Sequence, residues 1–149
     1  MAKIDNTTLP GTTGSGYPPP FDQQCRQRLR QALGDAAGLT DFGVNLLTLA
    51  PGAWSSQRHW HSAEDEFVWV LQGEVVLVTG QGEEVLRDGD CAGFKAGVAD
   101  GHHLQNRSEL PAVVLEIGAR RPQTDRCDYP DIDLRWTPGG YTRKDGTPY

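Results

Sequence analysis

The 149-residue sequence predicts an all-β protein built around one antiparallel barrel or sandwich. Runs of β-forming residues, such as Phe42–Leu49 and residues 112–117, are short. Turn signals, among them Pro51-Gly52 and Asp88-Gly89-Asp90, recur between these runs at a spacing of roughly ten residues. The hydrophobic fraction of 37% suffices for one core, and the absence of an internal repeat argues against a second barrel.

Residues 1–40 are expected to form an arm and a short helix ahead of the barrel. The run Pro18-Pro19-Pro20 favours an extended chain, and Asp22 is a suitable helix N-cap. Gly34 is unfavourable inside a helix, and Gly38 is expected to end it. An amphipathic helix of about four turns is predicted because apolar residues recur at three- or four-residue spacing, at Cys25, Leu29, Leu33 and Ala36.

Residues 41–120 hold the predicted barrel strands, and residues 121–149 are expected to form an extension that packs on the barrel. Besides the two runs above, strands are predicted at residues 67–71, 75–78 and 84–86. In the polar extension, the alternation of Ile132, Leu134 and Trp136 predicts an edge strand. The last nine residues are expected to lie on the surface or to reach a partner.

Composition excludes several classes of protein. The formal net charge is −6 and no Lys/Arg-rich run occurs, which argues against nucleic-acid binding. No apolar run approaches the roughly 18 residues of a membrane span, and the N-terminus lacks a secretory signal, so the cytoplasm is the expected compartment. The three cysteines are odd in number and form no Cys-x-x-Cys pair, so reduced thiols are expected.

The four histidines fall into two pairs, and three of them combine with a carboxylate into a predicted metal site. His59 and His61 are two residues apart, which on a strand places both imidazoles on one face. Glu66 follows five residues later, and His102 lies on a later strand that can close over the same point. Three imidazoles and one carboxylate suit one divalent transition metal, such as Fe, Mn, Ni, Cu or Zn, with positions left for a substrate.

His103 is the alternative to His102 as the fourth ligand. Strand alternation favours His102, which shares a face with Leu104 and Asn106. The other polar and aromatic residues near these motifs are expected to have structural roles and not to contact a ligand. Glu64 and Asp65 are expected to be solvated, Cys91 to be a buried inert thiol, and the tryptophans to pack in the core or an interface, namely Trp54, Trp60 and Trp69.

The spacing of these residues resembles that of a known family. The segment Gly52-x6-His59-x-His61-x4-Glu66-x6-Gly73 resembles the first characteristic motif of the cupin superfamily. The segment Gly89-Asp90-x4-Lys95-x-Gly97-x4-His102-x3-Asn106 resembles the second, and together the motifs span residues 45–118. The resemblance implies a double-stranded β-helix, or jelly-roll barrel, that encloses one metal ion held by His59, His61, Glu66 and His102.

The resemblance also carries specific departures and structural expectations. The spacing before His59 and the loop before His102 are longer than usual, and Lys95 replaces a typical proline, so residues 95–101 are expected to shape the pocket mouth. Gly73 and Gly89 are expected at turns where a Cβ would be strained. Cupins commonly pair through sheet edges, which implies a homodimer.

The function implied is that of a metal-dependent enzyme acting on a small organic substrate. Dioxygenase-like chemistry is the first expectation, with Glu66 either remaining a ligand or detaching to act as a base. The alternatives are a non-redox isomerase, lyase or decarboxylase, in which the metal stabilises an enolate, and a non-catalytic module that binds a small molecule. No residue of the sequence stands out as the additional acid or base that the non-redox class requires.

Overall fold

The computed structural model describes residues 3–149 and consists mainly of antiparallel strands, as the sequence predicts. The strands are β1 (Thr12–Thr13), β2 (Arg28–Ala32), β3 (Phe42–Leu49), β4 (Trp60–His61), β5 (Glu66–Gln72), β6 (Glu74–Thr79), β7 (Gly82–Arg87), β8 (Cys91–Phe94), β9 (His103–Gln105), β10 (Ala112–Ala119), β11 (Cys127–Tyr129), β12 (Leu134–Thr137) and β13 (Gly140–Thr142). The five runs predicted for the barrel coincide with β3, β5, β6, β7 and β10.

Two sheets form the jelly-roll barrel. One has the strand order β1-β2-β3-β10-β5-β8, and the other has the order β7-β6-β9. Their inner faces meet in a core that includes the fully buried side chains of Leu47, Val70, Val75 and Val114. Such interdigitation of two inner faces is the usual way in which antiparallel sheets bury apolar area. The all-β jelly-roll class predicted from the sequence is therefore confirmed.

Alternation along the strands fixes which side chains enter the barrel. In the register of β3 with β10, Leu47 lies opposite Val114, and both are fully buried. Their neighbours Leu46 and Leu115 are also paired, but they face outward and are only partly buried. A shift of one residue would move the whole apolar set to the outer face, so burial specifies this register.

The N-terminal segment contains far less helix than the sequence predicts. A 3-10 turn covers Gln23–Cys25, and the α-helix α1 is restricted to Leu33–Ala36, while Arg28–Ala32 is the strand β2. The prediction of a four-turn helix was wrong. Strand β2 instead pairs with β3, and the pairing satisfies the main-chain hydrogen-bonding groups of both strands. Gly38, at φ +71°, does end the helix. No helix among residues 3–149 has the length and hydropathy needed to cross a bilayer.

The C-terminal segment forms a third sheet with the strand order β13-β12-β11-β4. The strand predicted here is present as β12, but it lies between β13 and β11 and is not an edge strand. The hydroxyl of Tyr149 donates to the carbonyl of Asp133 at 2.7 Å. Cys127 of β11 lies opposite His61 of β4, so this sheet reaches the predicted site. A small apolar cluster joins it to the N-terminal arm, comprising Cys127, Tyr129, Leu134, Tyr17, Phe21, Ile132, Trp136 and Tyr141.

The outer face of the six-stranded sheet contradicts one prediction. Cys91 was expected to be buried, but it is exposed, because alternation in β8 turns it outward next to Trp69 of β5. Trp69, expected to pack in the core or an interface, is 46% exposed in the single chain and does not belong to the core. Phe67 and Leu71 also point outward and are exposed, so this chain leaves an apolar face uncovered.

Candidate metal centre

Three imidazole nitrogens lie within 4 Å of one carboxylate oxygen inside the barrel. The Nε2 atoms of His59 and His61 lie 3.1 Å apart. Oε2 of Glu66 lies 3.8 Å from the first, 3.4 Å from the second and 2.9 Å from Nε2 of His102. His59, His61 and Glu66 offer ligand atoms that all lie within 4.8 Å of one another. The structure thus brings together the four side chains that the sequence predicts as ligands.

Each predicted ligand is held by a strand or bridge of the structure. His59 and His102 form an isolated antiparallel bridge, with the two residues exchanging main-chain hydrogen bonds of 3.2 and 2.8 Å. His61 belongs to β4, and its separation of two residues from His59 places both rings on one face. Glu66 is the first residue of β5, where it lies between Gly118 of β10 and Phe94 of β8.

The second nitrogen of two imidazoles is already engaged, which directs Nε2 toward the common point. Nδ1 of His59 lies 2.9 Å from the carbonyl of Gln57 and donates to it, since a carbonyl only accepts. Nδ1 of His61 lies 2.6 Å from Oδ2 of Asp125, to which it donates in the same way. A histidine whose Nδ1 carries the proton presents an unprotonated Nε2, the form that binds a metal.

His102 is oriented by stacking. Its ring lies parallel to that of Phe94, with centroids 3.5 Å apart and 2° between the planes, and its Nδ1 is buried without a hydrogen-bond partner among residues 3–149. His103 lies elsewhere: Nδ1 contacts the carbonyl of Ser56 at 2.8 Å, and the ring packs edge-on against Trp54. The geometry therefore places His102, and not His103, beside Glu66.

Electrostatics favour the neutral form of His59 and the ionised form of Glu66 at this point. Burial lowers the pKa of His59 to about 4, although Glu66 acts in the opposite direction. For Glu66, burial raises the pKa, but the hydrogen bond from His102 and the charges of the histidines outweigh it and lower the pKa to about 2. Neutral nitrogens and a carboxylate are the protonation states that a divalent cation requires.

The convergent atoms open into a cavity of about 410 Å³ between the barrel and the two chain ends. Its wall includes Arg28 and Arg30 of β2, Glu116 of β10 and the arm residue Tyr17. A second cavity of about 250 Å³ also reaches His61, Glu66 and His102. Lys95, Val98 and Asp100 line it, so the loop of residues 95–101 borders a cavity mouth, as expected from its unusual length.

Residues 45–118 match the family described as Cupin domain. A Silicibacter pomeroyi protein, described as a sugar phosphate isomerase from a cupin superfamily, is 44% identical, with 99% of this chain and 96% of that chain covered. The two structures superpose with a TM-score of 0.93. The chain belongs to the cupin superfamily.

Other solved structures share the architecture. An Acidithiobacillus ferrooxidans protein, provisionally described as a sugar phosphate isomerase, is 34% identical with a TM-score of 0.71, covering 77% of this chain and 74% of that one. The polyketide cyclase RemF of Streptomyces resistomycificus, at 17% identity, shares the fold alone, with a TM-score of 0.64 and 80% and 79% of the two chains covered. No curated protein shows significant sequence similarity to this cupin.

Two side chains around the site of this cupin, Asp125 and Cys127, were not predicted from the sequence. Asp125 is 1% exposed and contacts His61, but it lies 64 residues away in a segment that reads as a polar extension. Cys127 places its sulfur 3.3 Å from Nδ1 of His61. The only local hint was the Asp-x-Cys spacing in residues 125–127, which is too common to single out without knowledge of the β4–β11 pairing.

Two further glutamates line the larger cavity. Glu64, expected to be solvated, has a side chain only 19% exposed and lines both cavities, and burial raises its pKa. Glu116, which the sequence did not single out, lies on β10 and pairs with Arg30 at 3.0 Å. Burial also raises the pKa of Glu116.

Proposed function

We propose that His59, His61, Glu66 and His102 bind one divalent transition metal, namely Fe, Mn, Ni or Zn. The convergence of three Nε2 atoms on Oε2 of Glu66 supports this proposal. The donor set fits such an ion because Nδ1 of His59 and of His61 is held by an acceptor. A bound ion would act as a Lewis acid toward an oxygen of a small molecule in the cavity.

We further propose that this cupin is a non-redox isomerase of a small phosphorylated sugar. One observation carries the proposal: the cavity that holds the four ligands also holds two arginines, Arg28 and Arg30, and a carboxylate outside the ligand set, Glu116. The cavity of about 410 Å³ is within the size range of small-molecule sites. The description of the Silicibacter pomeroyi cupin as a sugar phosphate isomerase, at 44% identity, supports the same class.

Aldose–ketose isomerisation moves a proton between two neighbouring carbons. A base removes the proton from the carbon next to the carbonyl, and the electron pair of that C–H bond shifts toward the carbonyl oxygen. Return of the proton to the former carbonyl carbon, with transfer of the neighbouring hydroxyl proton to the former carbonyl oxygen, gives the product. The reaction consumes no oxidant, and a site that stabilises negative charge on oxygen lowers its barrier.

Glu116 is the side chain that we assign to this proton transfer. It faces the barrel interior because it pairs with Asn45 and with the buried Val68. The ion pair with Arg30 holds its carboxylate in place at 3.0 Å. Glu66, predicted from the sequence as both ligand and base, keeps the ligand role in this scheme, because its Oε2 lies among the three imidazoles.

The dioxygenase-like function expected from the sequence is the second candidate. Its support is the ligand set, because three histidines and one glutamate leave coordination positions that oxygen chemistry also uses. The same ligand set serves Lewis-acid chemistry, whereas the two arginines and Glu116 of the cavity have a direct use only in the isomerase. A non-catalytic binder would need the arginines but not Glu116.

Deuterium exchange tests the proposed reaction. The metal-loaded protein is incubated without oxygen in deuterated water with aldose phosphates and ketose phosphates of three to six carbons. We expect isomer formation and deuterium at the carbon next to the carbonyl, both followed by NMR. Glu116→Gln should lower the rate about 100- to 10,000-fold while the metal content is unchanged. Turnover that requires dioxygen, or no exchange with any sugar phosphate, would exclude the isomerase.

We also propose a homodimer and a cytoplasmic location. The outer sheet face with exposed Phe67, Trp69 and Leu71 is an apolar patch that a second copy would cover. The cysteines Cys25, Cys91 and Cys127 are all free thiols, which suits a reducing compartment.

A further inference from the structure

Arg28 carries a buried positive charge that lacks a carboxylate partner among residues 3–149. The residue is 7% exposed, and no ion pair within 4.0 Å involves it. Nε donates to the carbonyl of Gly14 at 2.9 Å, and Nη1 donates to the carbonyl of Ser55. The third nitrogen, Nη2, donates to no group in this part of the chain. Burying such an uncompensated charge is costly, so an anion brought to it would be strongly stabilised.

Ser15 supplies a second unused group in the same cavity. Its Oγ is buried and has no hydrogen-bond partner among the described residues. A buried hydroxyl without a partner is uncommon in a native protein and calls for an explanation. Because Ser15 and Arg28 both line the cavity of about 410 Å³, one ligand can satisfy both groups.

Main-chain contacts fix the N-terminal arm beside β2 and so hold Ser15 near Arg28. The amide of Gly14 donates to the carbonyl of Arg28 at 2.9 Å, while the carbonyl of Gly14 accepts from Arg28 Nε. The preceding strand β1 pairs with Arg30 and Leu29 of β2. Ser15 follows directly, so its position relative to Arg28 is set by paired main-chain contacts.

Arg30, on the same face of β2, completes the electrostatic environment. Its charge is balanced by the ion pair with Glu116 at 3.0 Å, and Glu116 also acts on Arg28 through space but forms no ion pair with it. The net formal charge of the three side chains is therefore +1. The other carboxylates that line the cavity, Glu64, Glu66 and Asp125, lie against His61. A cavity wall with this net charge attracts an oxyanion.

From these contacts we infer that Ser15 and Arg28 form an anion subsite that binds the phosphate group of the substrate. Arg28 Nη2 and the hydroxyl of Ser15 donate to phosphate oxygens, while the remainder of the molecule extends toward the four convergent ligands. The identity of that remainder rests on the proposed isomerase function; the subsite itself rests on the unpaired guanidinium and the unpartnered hydroxyl.

Calorimetric titration of the full-length, metal-loaded protein with inorganic phosphate tests the subsite. We expect saturable binding at one site, weakened about tenfold in Arg28→Lys, which keeps the charge but loses the forked donors. Ser15→Ala removes one hydrogen bond to a charged group and should also weaken binding about tenfold. Because Ser15 lies on the arm outside the core, this second variant gives a result even where Arg28→Lys does not fold. Wild-type affinity in Ser15→Ala, or in folded Arg28→Lys, would overturn the subsite.

A metal-free variant separates this subsite from phosphate bound to the metal. His59→Ala/His61→Ala should keep the wild-type affinity for phosphate, because the subsite contains neither histidine. Loss of phosphate binding in that variant would place the anion on the metal and refute the proposal. Acetate, titrated in parallel, distinguishes the class of oxyanion: binding as tight as that of phosphate would exclude a phosphate subsite.

The outcomes for the subsite and for the reaction are independent. Phosphate binding that depends on Ser15, together with no isomerisation of any sugar phosphate, would keep the subsite and remove the isomerase. Isomerisation that is unaffected by Ser15→Ala and Arg28→Lys, with unchanged KM, would keep the reaction and remove the subsite.

Discussion

Nδ1 of His61 lies 2.6 Å from Oδ2 of Asp125, a carboxylate that is 1% exposed and 64 residues distant in the chain. The other oxygen of Asp125 accepts the amide of Ala63 at 2.8 Å. The carboxylate therefore fixes the tautomer of His61 and the main chain beside it at the same time. Carboxylate–histidine–metal arrangements of this kind increase the basicity of the ligating nitrogen.

Replacing Asp125 by asparagine should weaken metal binding. The amide has one acceptor oxygen, so it cannot serve both His61 and Ala63, and one of the two donors loses its partner. We expect the affinity for a divalent transition metal to fall about 10- to 100-fold. Competition with a chromophoric chelator measures this change.

Asp128→Asn is the matched control, since Asp128 lies three residues further along the chain, on β11, and pairs with the half-exposed Arg135 at 3.0 Å. Its metal affinity should equal that of the wild type. Equal affinities for Asp125→Asn and the control would show that Asp125 does not support the metal centre.

The two neighbouring histidines of the second motif should respond in opposite ways to substitution. His102→Ala removes a nitrogen 2.9 Å from Glu66, and we expect most of the bound metal to be lost. His103→Ala should retain one equivalent of metal, because His103 bonds the carbonyl of Ser56 away from the centre. Elemental analysis of the two purified variants gives the comparison, and circular dichroism reports whether both remain folded.

Metal retained in His102→Ala and lost in His103→Ala would reverse the assignment. The double variant His59→Ala/His61→Ala provides the reference for a protein without the site. It should contain no metal and keep the β-sheet spectrum, because its side chains lie outside the apolar core.

The strands and the four convergent residues were predictable because their signals are local. Alternation places Leu47 and Val114 on the inner face, and the same alternation places His59 and His61 together. The two turn glycines are equally local: Gly73 and Gly89 have φ of +85° and +91°, conformations that favour glycine.

The remainder depended on contacts between distant segments. Residues 25–36 have a helical periodicity, but Arg28–Ala32 pairs with β3 instead. The main-chain hydrogen bonds gained in this pairing cannot be read from the secondary-structure propensities of the residues. Asp125 and Glu116 reach the centre only through strand pairings with β4 and β5. An aspartate or a glutamate is common at any polar position, so the residue type alone does not indicate a role for either.

Tyr17 should make the fold sensitive to alkali. Burial raises the pKa of its hydroxyl above the ordinary value of 10.0. The unfolded chain therefore ionises first, so the contribution of Tyr17 is complete below about pH 10 and is lost as the pH rises through the folded pKa. The loss amounts to at most about 1.4 kcal/mol for each pH unit.

Urea unfolding at a series of alkaline pH values measures this dependence. Tyr17→Phe keeps the ring that packs on Tyr129 and Tyr141, with centroid distances of 5.7 Å in both pairs, and removes the titrating hydroxyl. The free energy of unfolding of the variant should fall less steeply above about pH 10. Identical slopes for the variant and the wild type would assign the alkaline sensitivity to other groups.

Trp69 should be the principal contact of the proposed homodimer. It lies centrally on the outer face, between Leu115 of β10 and Cys91 of β8, and is 46% exposed in the single chain. Trp69→Arg should raise the dimer dissociation constant about 30-fold or more, as expected for an aromatic residue at the centre of an interface. Sedimentation velocity over a range of protein concentrations measures the shift from dimer to monomer.

Leu110→Arg is the control for this substitution, because Leu110 is 72% exposed but lies outside the strands of the sheet. It should remain dimeric. The exposed thiol of Cys91 gives an independent measure: a thiol reagent should modify it slowly in the wild-type dimer and rapidly in Trp69→Arg. A wild-type protein that sediments as a monomer, with Cys91 equally reactive in both proteins, would show that a second copy does not cover this face.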